Sequence, residues 1–266
     1  MLIKLDINKP TVILIDASYY VFYRYFATMR WFAFQKKVID VNNITDNEEF
    51  IKCFLKHLNT DLNKILKFWK TNIDNIIFCS DCQRNNIWRN DIYKDYKSNR
   101  TQNQSFNSSI FNVFFDYIDK LGIKKVKFER LEADDIIYLL QNKLKLTYKI
   151  VIITNDNDYL QLASDNINII NMQFKDITNR CTKNPRMDLL YKAIYGDRSD
   201  NILKIAPFIT KNKAIILSSM NDDELKLWLT NNNLIDKFNF NMELISFEKI
   251  PKKYVEDFYK NICIYS

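Results

Sequence analysis

"LEADDIIYLL", residues 131–140, decides how this chain is read. Glu132, Asp134 and Asp135 put three carboxylates into four positions, and an apolar run follows at once. As a packed helix, the stretch gathers acids in its first turn at the rim of an apolar core, where mutual repulsion and lost hydration both raise their cost. Such a cluster calls for a cationic partner.

Neighbouring stretches give that helix a sheet to pack on. "TVILIDASYY" (11–20) opens with a β-branched run, Val12 to Ile15, that ends on Asp16, and "NIIFCSD" (75–81) ends on Asp81. "YKIVIITNDND" (148–158) delivers Asp156 and Asp158 just past its apolar run, and "KKVKFER" (124–130) reads as a shorter strand. Between them, "EEFIKCFLKHLNTDLNKILKFWK" has apolar residues three and four apart, an amphipathic helix beginning near Asp46, and "SSIFNVFFDYIDKLG" reads as a helix closed by Gly122. Alternating strands and helices predict an α/β fold, a mostly parallel sheet flanked by helices. Ligands then gather outside the carboxyl ends of the strands.

The last third differs. "NPRMDLLYKAIYGDRSDNILKI" (184–205) reads as a helix from near Pro185 to Gly196, followed by Asp197 and Asp200. A sheet domain over 1–185 and a small helical region over 186–266 are expected. With 266 residues, 47% of them hydrophobic, the chain can bury a real core. Two glycines leave the tight turns to Asn, Asp and Ser. Lys plus Arg number 39 against 32 acids, a net +7 that makes a polyanionic partner plausible.

No apolar run approaches the ~20 residues of a membrane span, and "MLIKLDINKP" lacks the pattern of a signal peptide. An intracellular location is expected, cytoplasmic for a bacterial or phage protein. Five scattered cysteines fit a reducing compartment, and Cys79 with Cys82 has no second pair to complete a zinc site. His57 is the one histidine; no nucleophile motif partners it, so it reads as a surface or packing residue.

The acids at these strand and helix ends are Asp16, Asp81, Glu132, Asp134, Asp135, Asp156, Asp158, Asp197 and Asp200. A single Asp after a strand is an ordinary helix cap. Nine converging on one sheet edge repel one another unless cations intervene. Carboxylates without histidine or thiolate select Mg2+ or Mn2+. Two such ions ~4 Å apart generate a hydroxide and stabilise both the attacking and leaving oxygens at a phosphodiester. "WRNDIYKDYKSNR" (88–100) supplies the complement: Arg89, Lys94, Lys97 and Arg100 with Trp88, Tyr93 and Tyr96 interleaved, cations for phosphate and rings for bases.

The ordered set "LIDAS", "FCSD", "YKSNR", "LEADD", "TNDND" and "GDRSDNI" resembles the 5′ nuclease superfamily, which includes flap endonucleases, the 5′ exonuclease domain of bacterial DNA polymerase I and phage RNase H-like enzymes. The resemblance runs from about residue 11 to about 250. It implies a PIN-like domain with a C-terminal helix-three-turn-helix-like DNA-binding region, and a helical arch over about 84–110 through which a free 5′ end is threaded. It places Asp16, Asp81, Glu132, Asp134 and Asp135 around a first Mg2+ and Asp156, Asp158, Asp197 and Asp200 around a second, with Mn2+ as a substitute. Lys97 would contact the scissile phosphate, Arg100 is the arginine that follows it in the motif, and Tyr96 would stack on the terminal base.

The chain departs from that pattern at "ILKIAPFITKNKAIIL" (202–217), which has no glycine where the family has a Gly-rich hairpin that grips duplex with the help of K+. Lys204 and Thr210 stand about where glycines are expected, so Lys204, Lys211 and Lys213 would hold duplex by side-chain charge instead, and the need for K+ is open. The implied activity is a structure-specific 5′ nuclease on DNA with a 5′ flap or 5′ end, or on RNA/DNA hybrids, in primer removal, replication or repair. A monomer is expected, with any polymerase or clamp acting in trans. The alternatives are a PIN-type ribonuclease on single-stranded RNA and a non-catalytic nucleic-acid-binding protein.

Overall fold

The computed structural model describes residues 1–101 and 103–265. In chain order its elements are β1 (Leu2–Lys4), β2 (Thr11–Asp16), α1 (Ala17–Phe34), α2 (Glu48–Trp69), β3 (Ile76–Ser80), α3 (Ile110–Lys120), β4 (Lys124–Lys127) and α4 (Ala133–Leu144). Then come β5 (Lys149–Ile153), β6 (Ile167–Ile170), α5 (Pro185–Tyr195), α6 (Lys211–Ser219), α7 (Asp222–Asn231), α8 (Ile235–Ile245), α9 (Lys252–Asn261) and β7 (Cys263–Tyr265).

The central sheet runs β4-β3-β2-β5-β6 with every neighbouring pair parallel. Its central strands β2, β3 and β5 are buried on both faces, which is why they read as unbroken apolar runs. Alternate side chains serve opposite layers. Val12, Leu14, Ile77, Cys79, Ile150 and Ile152 face α4, while Ile13, Ile15, Ile76, Phe78, Val151 and Ile153 face α1, α2 and α3. From β2 the chain steps outward to β3 and β4, then crosses back to β5 on the other side, so the strand order reverses beside β2. Asp16 and Asp156 stand at the carboxyl ends on either side of that point, where parallel sheets bind ligands.

Helices α5 to α8 enclose a third core of their own, with Leu190, Ile194, Ile209, Leu217, Leu229 and Leu244. The helical region expected over 186–266 is helical through α8, but Phe247, Ile250, Phe258 and Ile262 leave it and join the core beneath α4. Strand β7 then pairs in parallel with β1, Leu2 opposite Cys263, so residues 247–265 are tied to the sheet domain. No described helix is long and apolar enough to cross a membrane.

Two local expectations are corrected. Among the described residues from 84 to 109 there is no α-helix: 3-10 turns at Arg84–Asn86 and Trp88–Asp91 are followed by irregular turns, so a helical arch is not what this stretch builds. Ile87 and Tyr96 are instead buried in the third core, which pins the segment down. The left-handed positions also fall differently, with Lys36, Lys70, Lys97 and Lys183 at positive φ against Asn201 and Asn233. Asp, Asn and Thr work as helix caps here, at Asp16, Asn47, Asn184, Thr210 and Asn221.

Gly196 closes α5 at φ 78°, and a Cβ there would lie 2.4 Å from the carbonyl oxygen of Ile202 and 2.6 Å from the Lys204 nitrogen. Both the backbone angle and the space require glycine. Gly196→Ala is expected to cost at least about 2 kcal/mol, read as a lowered denaturant midpoint. An unchanged midpoint would contradict this close approach.

Candidate metal centre and its basic neighbours

Four acids meet at the sheet edge around a cavity of roughly 340 Å3 that Ser18, Arg84, Lys97, Arg100 and Glu132 also line. Asp16 caps α1, accepting from the Tyr19 amide at 3.0 Å and from the Tyr159 hydroxyl at 3.3 Å. Asp81 accepts from Ser18 Oγ at 2.9 Å and from the Ala133 amide at 2.8 Å, so the first N–H of α4 is satisfied by this carboxylate. Asp134 follows on α4, and Asp156 caps the 3-10 turn after β5. Among the described residues none of these four pairs with a lysine or arginine.

That isolation has a cost. Burial, then the nearby Asp81 and Asp156 charges, push the Asp16 carboxyl up to about 7 against hydrogen bonds that favour ionisation. Burial, with Asp135 and Glu132 beside it, raises Asp134 well above the usual carboxylate range. A set of oxygen donors crowded and uncompensated in this way fits a hard divalent ion, which would neutralise what no side chain does. Cys79 and Cys82 are free and buried; burial and the nearby Glu132 push the Cys82 thiol to about 12, which leaves no thiolate here.

Behind this rim lies Arg89, 1% exposed. Its Nη1 donates to Glu132 Oε2 at 2.8 Å and Asp135 Oδ2 at 2.9 Å, its Nη2 to Asp135 Oδ1 at 2.8 Å, and its Nε to the Leu244 carbonyl at 2.8 Å. Trp88 Nε1 and the Glu132 amide also donate to Asp135 Oδ2, at 2.9 and 3.1 Å. Although Asp135 lies within 4.8 Å of Glu132 and Asp134 in a possible metal group, both its oxygens are spent on these donors and it is fully buried. Asp135 is thus held behind the rim by Arg89, Trp88 and the Glu132 amide, beside Glu132 and Asp134. Burial would raise Glu132, but Lys97 and Arg89 hold its carboxyl below the ordinary value.

A second group, Asp158, Asp197 and Asp200, gathers where α5 ends. Lys192, one turn back on α5, pairs with Asp158 and lies 2.5 Å from Asp197 Oδ2. Burial would raise Asp197, yet Lys192 and Ser199 hold it below the usual range. Arg100 Nη2 donates to Asp200 Oδ1 at 2.6 Å. Lys97 spans the two groups, 2.5 Å from Glu132 Oε1 and 3.7 Å from Asp200 Oδ2.

The basic stretch is stitched to the turn after Gly196. Lys97, at φ 55°, donates its amide to the Asp200 carbonyl at 3.0 Å, Arg100 Nε reaches Ser199 O, and Asn201 Nδ2 reaches Asp95 O. A non-glycine residue held left-handed at this point is strained and pinned by its surroundings.

Three residues expected on nucleic acid are placed otherwise. Arg89 is sealed in the ion-pair node, and Tyr96 is 5% exposed with its hydroxyl donating to Glu132 at 3.1 Å and Asp200 at 3.2 Å, so base stacking by Tyr96 is ruled out in this arrangement. Tyr93 is half-buried against Phe240 and donates to Asn201 O. Lys94 and Lys211 are exposed; Lys213 lies over the Phe208 and Trp228 rings; Lys204 donates to Ile209 O at 3.0 Å within the glycine-free loop. Sequence reading missed Arg84, Ser18 and Lys192. Lys192 carried a signal, a cation in the last helical turn before an acidic pair; Arg84 carried none.

Arg89→Met leaves buried Asp135 without an ion-pair partner and Glu132 with Lys97 alone, and is expected to cost about 3–5 kcal/mol in chemical denaturation; a loss below about 1 kcal/mol would overturn the node's importance. Asp16 yields a pH signature. With its folded value near 7 and an ordinary 3.8 when unfolded, its contribution is favourable below about pH 4 and is lost as pH rises to about 7. In EDTA the wild-type melting temperature should therefore fall more between pH 5 and 7.5 than that of Asp16→Asn. Parallel pH profiles would refute it.

The family described as 5′-3′ exonuclease, N-terminal resolvase-like domain, matches residues 11–188. The chain is 31% identical over 235 residues to the 5′-3′ exonuclease of Buchnera aphidicola subsp. Schizaphis graminum, spanning 82% of this chain and 75% of that one. To the 5′-3′ exonuclease of Bacillus subtilis it is 30% identical over 207 residues, 73% of this chain and 65% of that one. The fold is shared with the bacteriophage T5 D15 flap endonuclease crystallised in a pseudo-enzyme-product complex with DNA and metal ions, at TM-score 0.63 and 14% identity over 94% of this chain and 97% of that one. With the acids at the strand ends and the matched span covering the whole parallel sheet, the chain belongs to the 5′-3′ exonuclease family.

Proposed function

We propose that this metal-dependent 5′ nuclease cuts DNA at a 5′ flap or 5′ end, and RNA/DNA hybrids, in primer removal or repair. The observation that carries it is the pairing of an uncompensated acid quartet with Lys97 and Arg100 on the rim of the same cavity. The residues assigned to metal are Asp16, Asp81, Asp134 and Asp156, with Glu132 beside them, and Asp158, Asp197 and Asp200 at the second position. Two bound Mg2+ ions would supply an activated water and charge neutralisation at the phosphate.

The chain's own residues bind and orient. Lys97 and Arg100 present two cations across the cavity, where a phosphate can exchange its hydration for charge-assisted hydrogen bonds. Arg84, which bonds the Lys97 and Arg100 carbonyls, braces their backbone from outside. The Tyr96 hydroxyl bridges the two acid groups and fixes their spacing. Exposed Lys94 and Lys211 track backbone phosphate beyond the cavity, and the Lys204 bond across the 202–210 loop stiffens it where backbone glycines are lacking. Partnership with a polymerase or sliding clamp on another chain, and action as a monomer, complete the reading.

Asp156→Asn is expected to abolish Mg2+-dependent cleavage of a 5′-labelled flap while sparing binding measured by anisotropy; retained cleavage sinks the ligand assignment. Lys97→Ala should slow single-turnover cleavage roughly 100-fold or more, the scale of losing one charge aimed at the reacting phosphate. Cleavage of single-stranded RNA in preference to the flap would move the protein to a ribonuclease role.

A further inference from the structure

The two acid groups differ in one respect that bears on how the site is loaded. The quartet Asp16, Asp81, Asp134 and Asp156 has no cationic partner among the described residues. The second group holds three carboxylates against Lys192, which pairs with Asp158 and Asp197, and Arg100, which pairs with Asp200. The Lys192 side chain is only 19% exposed, so its contacts are screened far less than a surface pair's.

Resting on the metal-nuclease reading above, we infer that Lys192 is a resident cation of the second group, and that the second metal ion must displace its ammonium from Asp158 and Asp197 to bind. The two ions then load unequally. An ion arriving at the quartet relieves repulsion among four acids and displaces no cationic side chain. An ion arriving at Asp158, Asp197 and Asp200 meets carboxylates already neutralised in part and must break an existing pair. The lysine thereby serves two ends. It holds the turn after Gly196 in register while metal is absent, and it keeps the second position weak, so that this position fills fully only when a further negative charge, the substrate phosphate, enters the site.

Placement on α5 suits this role. Lys192 lies in the last turn, where the helix dipole favours a cation, and Gly196 turns the chain so that Asp197 comes back beside it. A long unbranched stem lets the ammonium withdraw without moving the helix. A cation that merely caps the helix end would sit in the same place, so the test must separate the two roles.

The probe is Mn2+ alone, added to the full-length chain without nucleic acid, with free Mn2+ read by electron paramagnetic resonance. Wild-type protein is expected to show one tighter and one weaker class of site. In Lys192→Met the weaker class should tighten by roughly tenfold, the scale of removing one unit charge from a half-buried site, while the tighter class stays put. In Lys192→Arg, whose fork can grip both carboxylates, the weaker class should weaken further. Melting supplies a readout independent of binding stoichiometry. Lys192→Met should melt below wild type in EDTA, and that gap should narrow in saturating Mn2+, which replaces the lost cation.

An equal gap with and without Mn2+ would mean a helix-capping role only and would overturn the inference. So would a weaker class that neither variant shifts. If Lys192→Met does not fold, the Arg variant still decides, because it predicts a change of opposite sign and keeps the charge. Wild-type protein that binds no Mn2+ would overturn both this inference and the metal-nuclease reading, which distinguishes the two failures.

Discussion

A guanidinium sealed from water between Glu132 and Asp135 joins three parts of this molecule. Arg89 comes from the segment before the basic motif, its acid partners from the first turn of α4, and its third acceptor from the end of α8. Desolvating one arginine and two carboxylates is expensive, and the geometry repays it with four charge-assisted bonds in a planar fork. The consequence reaches the surface. Glu132 is turned so that its second oxygen meets Lys97, and Lys97 in turn meets Asp200. The sheet domain, the basic segment and the helical region are thereby locked at the site where all three contribute side chains.

Charge is distributed unevenly around that lock. On the cavity side, Asp16 and Asp134 carry raised carboxyls because burial and each other's neighbours oppose ionisation. On the α5 side, Asp197 is held ionised by Lys192. A protein stabilised only for folding would spread its cations over both groups. Leaving the quartet bare concentrates electrostatic repulsion at the cavity, the common trade of stability for function at active sites.

The basic stretch shows how tertiary contacts redirect a motif. Trp88, Arg89 and Tyr96 look like nucleic-acid contacts when read as a row of cations and rings, yet all three are buried. Their burial holds Lys97 left-handed against the Asp200 carbonyl and leaves Lys94 and Arg100 outside. In the glycine-free loop, the Lys204 side chain is likewise drawn inward, bonded across the turn to the Ile209 carbonyl.

What the sequence by itself determined is whatever local pattern controls. Unbroken β-branched runs ending on acids gave parallel strands with carboxylates at their carboxyl ends, because a strand buried on both faces has no other composition available. The helix starting at Ala133 and the stop at Gly196 were legible for similar reasons, a capping position and a left-handed turn. Strands β1, β6 and β7, three to four residues each, were not legible, since so short a run has no distinctive period. Tertiary structure alone decided which acids face the cavity and which face arginine. Asp134 and Asp135 are adjacent and chemically identical, but successive helix positions point about 100° apart. One therefore opens into the cavity while the other is fixed to Arg89, a residue 46 positions away. Lys192 and Asp158, 34 positions apart, meet for the same reason: only the packed fold brings separate elements within reach of one another.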